Sequence, residues 1–471
     1  MNLGTAVAIL FTLGTGFGLV HLLWPTKTTQ ARLHLLKACL AVGLGLGVSS
    51  CSFLAALTAQ TVIPFATLVL DAIAIAVVLA AVIVVGRRRD KRLSPISTED
   101  ESPALGRVAL VALGVGLVFA AIGLYWMAGT RPYGRWDAVA IWNLKARFLA
   151  LGGAAWANVF NDALAHTDYP LLLPLSIARL WTYAGSTTTT VPQAVPVLFA
   201  FLTIGVLLAT VSILRGRTLG ALAALALMAN VYFMTYPSWQ YADIPLGCYE
   251  LTALCMTALA WRLGDHGRKV WVLAGLAGGC AAWTKNEGLL FVVALLTATM
   301  GVTAVVRGPR RIGQTLVPLL GGLAPFLLVI AAFKLGVAAP NDLFRKLALS
   351  EVWDKVTDPD RHRHILRIAG FLVRVNHDWL VSLGLLLCVG LCGVNPNRHD
   401  WPAVATVVLT VLITALGYYV VYLITSHDLG WHLKTSADRL FMHLWPSWVL
   451  LVFLVIRSPP QLVTMTSPQR T

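Results

Sequence analysis

The sequence predicts an all-α, polytopic integral membrane protein, and its composition, charge and hydropathy all point to this fold class. Of its 471 residues, 58% are hydrophobic and only 12% are charged, and the mean hydropathy is +0.75. Soluble domains carry about 25% charged residues. A chain this apolar fits a lipid bilayer, where one helical span takes about 20 residues. These values exclude a disordered chain, a collagen-like fibre and a disulfide-stapled secreted module.

Apolar segments bounded by charged residues, Pro or Gly predict about 13 transmembrane helices. A further apolar segment at 170–184 contains Pro170, Pro174 and Arg179, so we expect a helix that is only partly inserted or that lies at the interface. The predicted transmembrane helices cover residues 3–24, 34–58, 62–86, 107–128, 191–213, 218–236, 243–261, 271–284, 288–306, 315–335, 379–394, 402–424 and 437–456.

The predicted helices divide the chain into four regions. The second region contains a long outer loop at 129–190, and the third is itself an outer loop. Within the third, 341–356 and 362–375 have amphipathic patterns, so these helices either lie on the membrane surface or cover the core as a lid. The regions are the N-terminal helices with a cytoplasmic linker (1–106), a helical core (107–335), an outer loop (336–378) and the C-terminal helices (379–471).

The formal net charge is +15, and the basic residues collect in short connections on one side of the predicted helices. Under the positive-inside rule that side is cytoplasmic. The N-terminus is then outside, the C-terminus is cytoplasmic, and most acidic residues lie at the outer face of the plasma (inner) membrane. Because the basic residues are scattered between apolar segments, we expect membrane lipids around the protein and no nucleic-acid partner. The basic groups are residues 87–92, Arg215 with Arg217, Arg268 with Lys269, and Arg307 with Arg310 and Arg311.

The first outer loop contains a candidate for acid–base chemistry, Asp137. It follows Trp136 and precedes a segment with a helical, amphipathic pattern in which Lys145 and Arg147 lie two to three turns further on. One interpretation is that Asp137 only caps this helix. The other is that it is a general base at the rim of the bilayer, because a carboxylate close to cations suits removal of a proton while an anion is held.

Further acidic residues lie at or inside predicted helices. Asp168 and Tyr169 come directly before a proline that precedes a helix, and Asp243 begins a helix where its charge suits the helix dipole. Asp168 also fits a plain helix-start role. Glu250, seven residues after Asp243, lies on nearly the same helical face. Asp71 lies alone in the third predicted helix, and an ionisable residue inside a span is a functional candidate by default.

Cations lie at the outer ends of later helices. Lys285 and Glu287 join two predicted helices with almost no loop, so Lys285 is either a snorkelling lysine or a fixed cation for a phosphate. Arg439 lies about one turn inside the last helix, where it requires an anionic partner, and its guanidinium matches a phosphate. His432 precedes it in a segment with further His and Asp residues. Their order is not that of a helical metal-ligand motif, which makes a metal site a weak hypothesis.

In their order and common sidedness, these motifs resemble the GT-C membrane glycosyltransferases, especially the family 39 and aminoarabinose-transferase-like branch. The likeness covers roughly 107–306 and 425–446. It rests on Trp136-Asp137 with Lys145, the helix start Tyr169-Pro170-Leu171-Leu172-Leu173-Pro174, Tyr241-Ala242-Asp243, Thr284-Lys285-Asn286-Glu287-Gly288, and Asp438-Arg439.

The resemblance implies a polyprenyl-phosphate-linked sugar as donor, with Asp137 as the catalytic base. It also implies that Lys285 and Arg439 bind the donor phosphate, and we expect Lys145 to assist them. The remaining substrate-site residues are expected to be Trp136, Asp168, Tyr169, Asp243, Glu287 and His432.

The chain departs from two patterns of this superfamily. The protein mannosyltransferase branch has an adjacent Asp-Glu pair, whereas Ala138 follows Asp137 here. The metal-dependent Asp-x-Asp pattern is also missing, because residue 139 is Val. We therefore expect no cofactor and no divalent metal.

Together these expectations describe an inverting transferase of the cell envelope. It would move a hexosyl or pentosyl group to a hydroxyl of a glycan, lipid or protein acceptor on the extracytoplasmic face. An alternative is a transporter or lipid flippase with an intramembrane acidic pathway through Asp71, Asp243 and Glu250. A second alternative is a non-catalytic assembly subunit that docks partners through its outer loops.

Overall fold

The computed structural model describes residues 2–24, 31–59, 63–86, 103–341, 349–375, 378–394 and 400–457. Throughout these residues the secondary structure is helical, and the only β-type pairing among them is an isolated bridge between Val394 and Ile456. The all-α, polytopic prediction is confirmed. The predicted basic run at 87–92 and the C-terminal tail from 458 lie outside the described residues.

Short π- and 3-10 elements lie between several of the α-helices. A π-helix, Ala138–Trp142, precedes α5, and 3-10 turns occur at Gly153–Val159, Gly264–Gly267 and Pro309–Arg311. The α-helices are α1 Leu3–Leu23, α2 Ala31–Thr58, α3 Ile63–Gly86, α4 Pro103–Thr130, α5 Asn143–Leu151, α6 Leu172–Ala184, α7 Thr190–Arg215, α8 Arg217–Met228, α9 Val231–Trp239, α10 Asp243–Leu263, α11 Arg268–Thr284, α12 Asn286–Arg307, α13 Ile312–Gly336, α14 Leu349–Thr357, α15 Pro359–Val375, α16 Asp378–Cys392, α17 Trp401–Ile424 and α18 Leu429–Val455.

By length and composition, 10 helical stretches among the described residues can cross a membrane, or 11 if the bent pair α8 and α9 is one span. The sequence predicted about 13 transmembrane helices, and the difference from this number has identifiable causes. α8 and α9 bend by 61° at their junction, and the apolar part of α16, Leu380–Cys392, is short. The stretch Asp243–Thr284 contains both α10 and α11, which form a hairpin, because Lys285 Nζ lies 3.1 Å from Asp243 Oδ1.

α10 is the centre of the bundle. Every residue from Asp243 to Trp261 is buried, against α7, α11, α17 and α18. The neighbouring pair α11 and α13 packs through glycines: a Cβ on Gly275 would lie 2.1 Å from the Leu319 carbonyl oxygen. Small residues allow this close approach of helix backbones in membranes. By contrast, α3 and α4 expose most of their apolar side chains, as lipid-facing helices do.

The two ends of the bundle carry different charges. At one end Asp400 pairs with Arg262 at 2.7 Å and with Arg215 at 3.7 Å, and Arg215 donates to the Ile456 carbonyl oxygen at 2.6 Å. The connections that the sequence assigns to the basic side therefore meet in space. Most of the acidic candidates lie at the other end.

The structure corrects one expectation, that about Asp71, and shows how α6 is packed. α6 lies inside the bundle, since Leu172–Arg179 are all buried between other helices. Asp71 is not without polar neighbours: its Oδ2 accepts hydrogen bonds from Arg179 Nη2 at 2.6 Å and from the Tyr183 hydroxyl at 2.8 Å. Arg179 also donates to the Thr12 hydroxyl at 3.1 Å. Arg179, which interrupts the apolar segment in the sequence, thus forms a buried ion pair that joins α6 to α3, and its hydrogen bond to Thr12 adds α1.

The amphipathic helices predicted in the second outer loop are present as α14 and α15; residues 342–348, which belong to the first prediction, lie outside the described part. α15 packs on the bundle rather than standing apart from it. Its Ile365 is buried in a small cluster with Tyr422, Leu423, Leu433 and Ala437. Arg361 donates to the Leu423 carbonyl oxygen at 3.0 Å, so α15 covers the end of α17 and the beginning of α18.

The buried pair yields a stability prediction. Arg179→Met should lower the free energy of unfolding by about 3–5 kcal/mol, because it leaves the Asp71 carboxylate buried without its cation. The apparent thermal midpoint of the detergent-solubilised protein measures this loss. Arg363→Met, which removes an exposed pair with Asp360, is the control and should cost at most about 1 kcal/mol. Equal midpoints for Arg179→Met and the control would contradict the assigned role of the pair.

Candidate active site

The turn before Asp137 is held against the junction between α9 and α10. Gly134 has φ +72°, and a Cβ there would lie 2.5 Å from the Trp239 carbonyl oxygen. Gln240, which is itself left-handed at φ +61°, donates through Nε2 to the Arg131 carbonyl oxygen at 3.2 Å. These contacts fix the first outer loop to the start of α10, so Asp137 and Asp243 are brought to the same end of the bundle.

Asp137 is engaged in an ion pair and does not cap a helix. It directly precedes the π-helix Ala138–Trp142, a local geometry that is frequent at functional sites. Within the described residues its side chain makes no capping hydrogen bond. Instead its Oδ2 lies 2.7 Å from Arg439 Nη1, and the residue is 8% exposed. The capping interpretation is therefore wrong, and the pairing of Asp137 with a cation is observed.

Asp243 joins the cations of the site. It is fully buried, and its carboxylate accepts from Lys285 Nζ at 3.1 Å and from Arg439 Nη2 at 3.2 Å. His443 Nε2 lies 2.7 Å from Oδ1, and the other ring nitrogen, Nδ1, lies 3.3 Å from the Tyr418 hydroxyl. One carboxylate thus connects the α11–α12 junction, α17 and α18. Since Arg439 reaches both Asp243 and Asp137, the predicted base and the predicted phosphate ligands form one network.

The junction between α11 and α12 presents Lys285 in a fixed position. Lys285 is extended between the helices and 2% exposed, and its Nζ lies 2.9 Å from Glu287 Oε1. The chain turns here without a loop because Gly288 packs on α11; a Cβ at Gly288 would lie 2.1 Å from the Ala281 carbonyl oxygen. Lys285 is therefore a buried cation between two carboxylates and not a snorkelling lysine.

Tyr169 lies between two lysines. Its ring centroid is 5.8 Å from Lys145 Nζ and 5.9 Å from Lys285 Nζ, and the ring stacks on His166 at 4.6 Å and on Trp142 at 5.8 Å. Lys145 is buried and donates to the His166 carbonyl oxygen at 2.5 Å. Burial lowers the pKa of Lys145 to about 7; the charge of Asp168 opposes this shift and that of Lys334 adds to it.

Asp168 is the centre of a second, adjoining cluster. Its Oδ2 accepts from Asn286 Nδ2 at 2.7 Å, from Asn341 Nδ2 at 2.7 Å and from Lys334 Nζ at 3.2 Å. Lys334 also donates to the Asp168 carbonyl oxygen. Asp168 therefore links the first outer loop to α12, α13 and the start of the second outer loop, and it is not a helix-start residue, since α6 begins at Leu172.

Two predicted site residues lie apart from these clusters. Trp136 adjoins Asp137 in sequence, but its side chain is 64% exposed. His432 contacts the Thr425 hydroxyl at 3.0 Å and the ring of Tyr422, near the beginning of α18 and not at Asp243. The structure brings together the others: Asp137, Lys145, Asp168, Tyr169, Asp243, Lys285, Glu287 and Arg439.

Sequence reasoning assigned no site role to several polar members of these clusters, namely His166, His443, Tyr418, Lys334, Asn286 and Asn341. A signal existed for His443, which lies four residues after Arg439 and so on the same face of α18. Tyr418 and Lys334 lie within apolar segments, where only the packing of distant helices shows which way they face. Among the described residues, no group of three His, Cys, Asp or Glu side chains could hold a metal ion.

Comparison of the chain with protein-family models, with curated proteins and with solved structures finds no match. The chemical interpretation of the site therefore rests on its geometry. The network has three carboxylates, Asp137, Asp243 and Glu287, against two permanent cations, Lys285 and Arg439. Such an array can hold an anion only if one carboxylate gives up its cation.

The pKa of Lys145 gives a pH prediction. The folded pKa of about 7 lies below the ordinary value of 10.5, so between these pH values the unfolded chain binds the extra proton. Stability relative to a Lys145→Met variant should therefore rise as the pH increases from about 7 to 10, by up to about 1.4 kcal/mol per pH unit. Apparent thermal midpoints of both proteins across this range test the prediction, and parallel pH profiles would contradict it.

Proposed function

We propose that the protein is a GT-C type membrane glycosyltransferase that moves a sugar from a polyprenyl-phosphate donor to an acceptor hydroxyl, with inversion at the anomeric carbon. One observation carries the proposal. Arg439 contacts Asp137 at 2.7 Å and, through Asp243, is joined to Lys285, so a carboxylate near the protein surface adjoins two cations. A proton acceptor and phosphate ligands are the groups that this reaction needs.

The donor phosphate is assigned to Arg439 and Lys285. The leaving group is a lipid phosphate anion, so cations that neutralise it lower the barrier. Arg439 offers a planar fork that matches phosphate oxygens, and Asp243 behind it holds the guanidinium in place. Lys145, whose pKa of about 7 leaves it partly neutral, is suited to gain a proton when an anion binds nearby.

Asp137 is assigned as the general base. Its carboxylate takes the proton of the acceptor hydroxyl while the oxygen attacks the anomeric carbon from the side opposite the phosphate. In the structure Arg439 forms an ion pair with this carboxylate. We infer that the phosphate replaces Asp137 at Arg439 Nη1 when the donor binds, which frees the base and keeps the charge on Arg439 compensated.

The surroundings of Asp137 favour a position at the membrane interface. Tyr125, Trp126, Tyr133 and Trp136 are all more than half exposed, in and after the last turns of α4. Exposed Tyr and Trp collect at the level of lipid headgroups. This supports a lipid-linked donor whose phosphate reaches Asp137 and Arg439 while its prenyl chain stays beside apolar, exposed helices.

The orientation belongs to the proposal. Arg215 and Arg262 meet at the end of the bundle opposite the site. If the positive-inside rule holds for this chain, the site faces the extracytoplasmic side of the plasma (inner) membrane, with the N-terminus outside and the C-terminus in the cytoplasm. The acceptor would then be a glycan, lipid or protein of the cell envelope.

The transporter alternative loses one of its three residues. Asp71 is held by Arg179 and Tyr183 in a separate cluster, so it does not continue a path from Asp243 and Glu250.

To test the proposed function, the purified protein is incubated with a panel of polyprenyl-phosphate sugars, and release of polyprenyl phosphate with sugar transfer is measured. Passage of a substrate across sealed vesicles without any transfer would favour the transporter.

The assignment of Asp137 predicts a separation of catalysis from binding. Asp137→Asn should lower sugar transfer by about 10²–10⁴-fold, because the general base is lost. The same variant should bind polyprenyl phosphate at least as tightly as the wild type, because a neutral Asn side chain competes less strongly than the Asp137 carboxylate for Arg439. Asp265→Asn, an exposed residue at the opposite end, is the matched control. Wild-type-like turnover by Asp137→Asn would remove Asp137 from the mechanism.

The assignment of the cations predicts a loss of affinity for the phosphate. Arg439→Lys keeps the charge but loses the fork, and Lys285→Gln loses the charge; each should weaken binding of polyprenyl phosphate by about 10-fold or more. Arg310→Gln, in an exposed turn at the far end, should leave the affinity unchanged. Binding is measured by fluorescence or calorimetry in detergent. Unchanged affinity in both site variants would reject the phosphate assignment.

A further inference from the structure

A fully buried carboxyl group lies deeper in the bundle than the proposed site. Glu250 is on α10, two helical turns after Asp243, which places it about 10 Å further from the outer end of the helix. Its exposure is 0%, and neither of its carboxyl oxygens has a hydrogen-bond partner among the described residues. No step assigned to Asp137, Lys285 or Arg439 uses it.

A polar stripe on α17 runs along the bundle beside α10, the helix that carries Glu250. α17 carries a buried polar residue at every fourth position, and so on one face. This face is in contact with α10 and α18: the Thr406 hydroxyl accepts from Trp261 Nε1 at 3.0 Å, and the Tyr418 hydroxyl lies 3.3 Å from His443 Nδ1. The stripe consists of Thr406, Thr410, Thr414, Tyr418 and Tyr422.

The charges around Glu250 disfavour an ionised carboxylate. The charged groups that act on it are Glu287, which is also negative, and Lys285. Lys285 is already shared between Asp243, at 3.1 Å, and Glu287, at 2.9 Å. Glu250 is also among the ionisable groups close enough to the Tyr418 phenol to interact with it electrostatically. A carboxylate without a hydrogen bond or a cation of its own is costly inside a membrane, whereas a protonated carboxyl group is neutral.

We propose that Glu250 is a proton-binding site in the membrane interior: it carries a proton at neutral pH and lies next to the Tyr418–His443–Asp243 chain of polar contacts. Asp243 and Glu287, by contrast, are ionised and paired with Lys285. This site is distinct from the proposed general base, Asp137, and its existence does not depend on which reaction the protein catalyses.

A hydrophobic carbodiimide tests the proposal, because such reagents react with protonated carboxyl groups inside membranes. The carboxyl proton moves to one reagent nitrogen, the carboxyl oxygen bonds to the central carbon, and the acyl group then shifts from oxygen to nitrogen. Nothing leaves, so the adduct weighs as much as the protein plus one reagent molecule. The full-length protein in lipid vesicles is treated with dicyclohexylcarbodiimide at neutral pH, digested and analysed by mass spectrometry.

The expected result is one adduct, on the peptide that contains Glu250. It should be lost in Glu250→Gln and retained in the control Glu351→Gln, which removes an exposed carboxylate that is not among the charged groups acting on Glu250. An adduct on Glu287, or none on Glu250, would overturn the proposal.

The folding of the Glu250→Gln variant is checked in a separate experiment. Gln has the shape of a protonated Glu, so the apparent thermal midpoint of Glu250→Gln should stay within about 2 °C of the wild type. A much larger drop would show that the negative charge is required, and would also overturn the proposal.

Discussion

The arrangement of the site depends on the charge of one buried carboxylate, that of Asp243. A carboxylate inside a helical bundle must be paired, because an uncompensated buried charge costs several kcal/mol. Lys285, Arg439 and His443 supply the pairing from the α11–α12 junction and from α18. These contacts fix the level at which α10, α12 and α18 meet. Since Arg439 also reaches Asp137, the position of the first outer loop follows from the same constraint.

Buried acids hold the first outer loop near both of its ends, Asp137 near the beginning and Asp168 near the end. The N-terminal helices contribute to this positioning. Tyr169 lies between Asp168 and the start of α6 in the chain. Asp168 is held by Asn286, Asn341 and Lys334. On α6, Arg179 is held by Asp71 of α3. α1 adds a contact through Thr12 to the same arginine. The first three helices therefore hold α6, and through α6 they help to place Tyr169 between Lys145 and Lys285.

The sequence predicted the fold class and which ionisable residues share one end of the bundle, for different reasons. Apolar composition fixes a helical membrane protein, and the common sidedness of the ionisable residues predicts that Asp137, Lys285 and Arg439 share one end. The sequence does not predict which side chains form ion pairs with one another. Asp71 finds Arg179 across more than a hundred residues, and Arg439 is shared between Asp137 and Asp243, because helix packing brings distant segments together. The span count differs where helices bend, as between α8 and α9, since hydropathy does not register a bend.

The balance of charge explains why the cations of the site are paired within the protein. Three carboxylates share two permanent cations, so Lys285 and Arg439 are fully occupied by protein groups. An added phosphate therefore has to compete with a carboxylate. At Arg439 the two competitors are Asp137 and Asp243, and Asp137 is easier to displace because Asp243 is fully buried and also paired with Lys285 and His443. The Asp137 side chain keeps 11% of its surface exposed, so its release leaves a less deeply buried charge than the release of Asp243 would. Of the two acids at Arg439, the one whose release costs less is thus the one that the proposed reaction would use as its base.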